Sequence, residues 1–131
     1  MPVAAIPFLM FQGRAKEAID FYVATLPDAR LIEMHTYGPG GLGLAGTVRK
    51  AILSFVGQTV RCTDSVVKHD FTFTPALSFF LDCESAAQTE QLFVRLSEGG
   101  SVFMPLGAYG FSKRFGWLSD KFGVSCQLNL S

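Results

Sequence analysis

The spacing of hydrophobic positions changes repeatedly along the chain, and each change marks an element. Ala5 to Phe11 is a short apolar run closed by Gln12-Gly13, as expected for a buried strand. Pro7 removes a ladder hydrogen bond, so this strand is expected at a sheet edge or with a late start. From Arg14 the period becomes helical: Ala15, Ala18, Ile19, Tyr22 and Leu26 make one stripe, with Arg14, Lys16, Glu17 and Asp20 around the other side. Pro27 stops that helix. Strands are predicted over Ala29 to Tyr37, Val48 to Val56 and Thr59 to Asp64, separated by a glycine-rich loop, Gly38 to Gly46, and a Gly57-Gln58 turn.

The pattern then starts again. Pro75 to Asp82 reads as a strand rich in Phe and Leu. Ser85-Ala-Ala-Gln88 matches a capping box, in which hydroxyl and amide satisfy orphan N–H groups at a helix start. Ala86, Thr89, Leu92, Phe93 and Leu96 carry the buried stripe, and Gly99-Gly100 suits a left-handed helix end. Strand candidates follow at Ser101 to Met104, Arg114 to Leu118 and Val124 to Leu130. The two strand-to-helix starts lie about 70 residues apart, which points to a duplicated unit of roughly 65 residues. The predicted class is α+β: two tandem βαβββ units, residues 1–64 and 75–131, joined by a 65–74 linker.

Composition narrows the function classes. The 131 residues suit one domain, and 49% are hydrophobic. Eleven basic and eleven acidic side chains cancel, and no basic stripe exists of the kind a nucleic acid requires. The longest uncharged run, Met34 to Val48, is broken by glycines and Pro39, so no membrane span is expected. Met1 to Phe11 lacks the basic start of a signal peptide. Cys62, Cys83 and Cys126 are odd in number and lack CxxC spacing, which excludes a disulfide framework or zinc ribbon and suggests a reducing, cytoplasmic setting. Thirteen Phe are a heavy load for this length. Phe21, Phe55 and Phe93 are expected to seal helix against sheet, and Phe8 with Phe79 or Phe80 to line a cavity or a subunit interface.

Candidate chemistry is sparse. Gly38-Pro-Gly-Gly-Leu-Gly43 formally matches GxGxxG, with Asp64 downstream, but it leads into a strand where a dinucleotide motif must open a helix. It reads as a loop, with a binding lid as the functional alternative. His35 and His69 have no spacing that ties them to a carboxylate, so ordinary surface or core roles are expected. In the last strand Val124, Cys126, Leu128 and Leu130 alternate with Ser125, Gln127 and Asn129. The polar set faces either water or a cavity. Cys126 then falls on the apolar face as a buried thiol, and nothing matches a serine or cysteine hydrolase signature.

Several segments resemble the PhnB-like branch of the vicinal oxygen chelate superfamily, the glyoxalase/bleomycin-resistance fold. They are Pro7-Phe-Leu-Met-Phe-Gln-Gly13 with Ala18-Ile-Asp-Phe-Tyr22, then His69-Asp-Phe-Thr-Phe-Thr-Pro-Ala-Leu-Ser78, Leu96-Ser-Glu-Gly-Gly100, Met104-Pro-Leu, and Tyr109 through Leu128. The resemblance implies two curved sheets around a cavity and a homodimer. In its metal-dependent relatives, side chains from the first and fourth strands of each half hold the ion. Carried over, those positions fall on Pro7, on one of Cys62, Thr63 and Asp64, on Ala76, and on Gln127, which is an incomplete ligand set. The branch often bears a methyltransferase name, yet no glycine-rich turn here opens a helix as an adenosyl donor would usually require.

The expected function is therefore metal-independent binding of a small, largely apolar molecule, with no cofactor. Phe8, Met10, Tyr37, Asp64, Phe79, Trp117 and Gln127 are the candidate lining. The alternatives are a lyase, isomerase or dioxygenase-type enzyme using a divalent metal held by Asp64, Gln127 and water or by a partner subunit, and a structural dimer whose cavity its own Phe fill. The homodimer also follows from the apolar faces and the Pro7 edge that a lone sheet would expose.

Overall fold

A computed structural model describes residues 1–131. The chain divides into two units, Met1–Asp70 and Phe71–Ser131. The first runs β1 (Phe8–Phe11), α1 (Ala15–Thr25), β2 (Ala29–Thr36), β3 (Val48–Phe55) and β4 (Gln58–Asp64). The second repeats that order as β5 (Ser78–Asp82), α2 (Ala86–Ser97), β6 (Ser101–Gly107), β7 (Arg114–Ser119) and β8 (Ser125–Leu130). Each unit holds one four-stranded sheet, ordered β1-β4-β3-β2 and β5-β8-β7-β6. In both, the outermost strand before the helix pairs parallel with the last strand, and the other pairs are antiparallel. The βαβββ repeat is thus present, in the glyoxalase/bleomycin-resistance arrangement.

In the first unit, α1 buries Ala15, Ala18, Ile19 and Tyr22 while β3 and β4 bury alternate residues, among them Ala51, Leu53, Phe55, Val60 and Cys62. The Tyr22 ring meets Phe55 edge-on, with centroids 5.3 Å apart, a geometry that adds to the burial term. In the second unit, Leu92, Phe93 and Leu96 of α2 do the same work. Phe93 packs where β7 carries Gly116: a Cβ there would stand 2.4 Å from the Phe93 ring, so glycine is required for the helix to approach.

Several boundaries differ from the sequence reading, each for a physical reason. Pro7 lies outside β1, which occupies a sheet edge, and only its carbonyl joins the ladder, accepting from the Arg61 N–H at 2.9 Å. The β3–β4 turn is Val56-Gly57 instead of Gly57-Gln58, because Gln58 already pairs with Phe55. Both turn residues have positive φ (51° and 85°), as a two-residue hairpin whose twist matches its strands demands. β5 starts at Ser78, three residues after Pro75, and β6 continues through Pro105 to Gly107. An edge strand tolerates that proline because its outer side needs no donor. Ala86 is exposed, leaving Thr89, Leu92, Phe93 and Leu96 as the buried stripe of α2. Phe55 and Phe93 are buried against their helices as expected, whereas Phe21 is half-buried at the flank of Tyr22.

The two helices start by different means. In α2 the Ser85 hydroxyl accepts from the Gln88 N–H at 3.1 Å, and the Gln88 side chain accepts from Glu84 N–H at 2.8 Å. Arg14 gives α1 no side-chain cap. Asp64 takes up the first helical amide instead: its Oδ1 accepts from Ala15 N–H (3.0 Å) and from Gly13 N–H just before the helix (2.8 Å), and its Oδ2 accepts from Val48 N–H of β3 (2.8 Å). No helix is long and apolar enough to cross a membrane.

Candidate ligand-binding site

Each sheet has one face under its helix and one open face. In the second unit the register sorts the side chains. Phe79 and Leu81 of β5 align with Cys126 and Leu128 of β8, and Leu118 and Gly116 of β7 align with the same pair. These residues lie on the helix side, where Leu81, Cys126, Leu128 and Leu118 are buried. The open face is built in three rows across β5, β8 and β7. They are Ser78, Ser125 and Ser119; Phe80, Gln127 and Trp117; and Asp82, Asn129 and Phe115. β6 extends the first two rows with Ser101 and Met104.

This open face is aromatic. Phe103 packs on Trp117 with centroids 5.0 Å apart, and Phe80 lies 6.4 Å from Phe115. From the loop before β7, Phe111 meets Phe115 edge-on at 5.0 Å while Tyr109 stacks on Phe111 at 6.2 Å. Phe80 is still 54% exposed. Polar groups are few and placed. Trp117 Nε1–H donates to Ser125 Oγ at 2.8 Å, and Ser125 Oγ shares a hydrogen with Ser78 Oγ at 2.6 Å. Asn129 Nδ2–H donates to Asp82 Oδ1 at 3.0 Å. The Gln127 amide, half-buried between Phe80 and Trp117, enters none of these bonds.

Of the residues expected as a lining, Trp117 and Gln127 are thus side by side, and Phe79 is not with them. It faces α2's side of the sheet with Cys126, and Phe80 takes the position beside Gln127. In the first unit Phe8 and Met10 align with Arg61 and Thr63 on the open face, where the Arg61 guanidinium sits 5.8 Å from the Phe8 ring. Asp64 is on the other face with Leu9, Phe11 and Cys62, is 2% exposed, and spends its carboxylate on three backbone donors. It lines nothing open. Tyr37 belongs to its own loop: its N–H donates to Thr47 O and its carbonyl accepts from Gly46 N–H, both at 2.9 Å. A Cβ on Gly43 would come within 2.5 Å of the Tyr37 ring, so the Gly38–Gly46 stretch folds around that ring and then enters β3.

The positions a metal would use do not fit one. Pro7 and Ala76 offer no side-chain ligand atom, and the Pro7 carbonyl is taken by the Arg61 N–H. Burial, then the Asp64 charge, push the Cys62 thiol up to about 12, so it is protonated at neutral pH. Thr63 Oγ1–H donates to the Arg49 carbonyl at 2.9 Å, and Asp64 is occupied as described. Gln127 remains, a neutral amide. No three His, Cys, Asp or Glu side chains gather to hold an ion elsewhere. The two histidines have local partners: His35 Nε2 contacts Glu33 Oε2 at 2.9 Å, and His69 Nε2 contacts Ser65 Oγ at 2.9 Å. The hydrogen bond with His35, and next the one with Lys50, hold the exposed Glu33 carboxyl below its ordinary range. All three cysteines are unpaired, and burial raises the thiols of Cys83 and Cys126 too.

Comparison with known proteins gives one family and several relatives. The family model described as 3-demethylubiquinone-9 3-methyltransferase matches residues 3–129. A PhnB protein from Bacillus cereus is 44% identical, with 97% of this chain and 98% of that one covered and a TM-score of 0.93. Protein PA1353 from Pseudomonas aeruginosa is 29% identical over 99% of this chain and 98% of its own, with a TM-score of 0.85. Protein YjdN from Escherichia coli is 24% identical, with 99% of this chain and 95% of YjdN covered.

Proposed function

Since the chain belongs to the 3-demethylubiquinone-9 3-methyltransferase-like (PhnB-like) family of glyoxalase-fold proteins, we propose that it binds a small, largely apolar molecule without a metal, on the open face of its second sheet. One observation carries the reading: aromatic side chains crowd that face around a single unengaged amide, Gln127. An apolar surface with a few placed polar groups is the usual make-up of a small-molecule site. The donor set at the family's metal positions supports metal independence, because an amide with Pro7 and Ala76 supplies less than a divalent ion needs. The methyltransferase description stays with the family, since the glycine-rich stretch enters β3 and opens no helix.

The exposed apolar residues on edge strands, including Phe8 of β1 and Val102 and Phe103 of β6, favour a homodimer that covers part of them. Three free thiols suit a reducing compartment such as the cytoplasm. The test uses the neutral fluorescent probe N-phenyl-1-naphthylamine and protein dialysed against EDTA, alongside elemental analysis of protein purified without chelators. Saturable binding of the probe at one site per chain, with no stoichiometric metal, is expected. One tightly held divalent ion per chain, or probe binding only after metal is added, would overturn the proposal.

A further inference from the structure

The open face of the second unit sets an amide between two aromatic side chains. Its middle row sets Gln127 of β8 between Phe80 of β5 and Trp117 of β7. The two rings lean away from each other along β8. Trp117 is drawn toward Ser125 by its Nε1–H···Oγ bond of 2.8 Å, and Phe80 packs toward Phe115 at 6.4 Å, beside Asn129. Gln127 lies half-buried between these two positions. Strands two apart stand about 10 Å from each other, and a flat ring needs about 3.5 Å of clearance on each side. A span of that width admits a flat ring.

The Gln127 side chain is an amide, which presents a donor and an acceptor together. Its complement is a ligand edge that presents an acceptor and a donor together, as a cyclic amide does. The adjoining serine row is itself hydrogen-bonded, with Ser125 buried beneath Trp117. Among the nine open-face positions of β5, β7 and β8, Asp82 is the one ionisable side chain. It repels anions, and the negative faces of the aromatic rings act in the same sense.

We propose that this face is a slot for one flat heteroaromatic lactam, neutral or cationic, held between Phe80 and Trp117 with its amide edge read by Gln127. The inference rests on the ligand-binding reading above and sharpens it to a chemical class. Trp117 is the single tryptophan of the chain, so its fluorescence reports the slot directly. The experiment titrates the protein with 2-quinolone, with naphthalene, which keeps the rings and lacks the amide, and with 2-piperidone, which keeps the amide and lacks the aromatic plane. Saturable quenching by 2-quinolone, at least tenfold tighter than by naphthalene and with none by 2-piperidone, is expected. Gln127→Leu, which keeps the bulk of the side chain, should remove that tenfold preference. Phe80→Ala should weaken both aromatic probes about tenfold. Equal binding of 2-quinolone and naphthalene, or an unaltered preference in Gln127→Leu, would overturn the lactam slot while N-phenyl-1-naphthylamine binding still upholds an apolar site. Loss of that probe as well would overturn both.

Discussion

Replacing Asp64 separates a structural carboxylate from a ligand-binding one. In the native protein it receives three backbone N–H groups at 2.8 to 3.0 Å while only 2% exposed. Asp64→Asn preserves the shape but removes the charge and turns one acceptor oxygen into a donor. The Oδ1 side holds Gly13 and Ala15, so the amide oxygen is retained there, and the new NH2 faces the Val48 N–H across 2.8 Å. The variant loses a charge-assisted bond of about 1.5–3 kcal/mol and leaves a buried donor that costs about 1–3 kcal/mol more, partly overlapping terms. A destabilisation of about 2–4 kcal/mol follows, a large share of the 5–15 kcal/mol typical of a domain. Asp64→Ala leaves all three donors without acceptors and is expected to be worse. Urea unfolding followed by far-ultraviolet circular dichroism measures this. With a slope of roughly 1–3 kcal/mol per molar, the Asn variant's midpoint should fall by about 1–2 M. A shift below about 0.3 M would mean that water or another group replaces the carboxylate, and the structural assignment would fail.

Two further outcomes follow from residues already described. Val56, a β-branched residue at φ 51° before Gly57, occupies a turn position that favours asparagine, so Val56→Asn should raise stability by about 0.5–1 kcal/mol in the same urea assay; a loss would contradict the turn assignment. Cys62 has its thiol raised by burial, and next by Asp64, from 9.0 to about 12. Below pH 9 it is neutral folded and unfolded alike, and above that only the unfolded chain ionises readily, so stability is lost as pH rises from 9 toward 12, by up to about 4 kcal/mol. Subtracting the unfolding free energies of Cys62→Ala from those of the native chain over that range should isolate the slope. A difference independent of pH would refute the burial of this thiol.

The local parts of the architecture are legible in the sequence because their signals are local. The Ser85-to-Gln88 cap spans four residues, and the helix stripes and the stop at Pro27 are written within one or two turns. What fails is whatever depends on pairing between distant strands. The segment Ser78-Phe-Phe-Leu-Asp82 has no clean alternation, so nothing within it tells which phenylalanine faces the helix. The parallel register with β8 decides, putting Phe79 beside Cys126 and Phe80 beside Gln127; a one-residue slip reverses every such assignment. The role of Asp64 is hidden for the same reason. Its partners Gly13 and Ala15 lie 51 and 49 residues away, beyond any motif. The last strand, by contrast, alternates plainly enough that its residue order alone puts Gln127 and Cys126 on opposite faces.

The contrast between the two helix starts also bears on the order of events during synthesis. α2 carries its own start signal and can be capped as soon as Gln88 has left the ribosome. The acceptor that completes α1 is made 49 residues after the amide it binds, at the end of the last strand of its unit. The first helix must therefore wait, frayed at its leading end, until β4 has been made and docked. The second half of the chain carries no such delay at its helix, so the duplicated unit, though alike in finished form, matures by a non-local step in its first copy and a local one in its second.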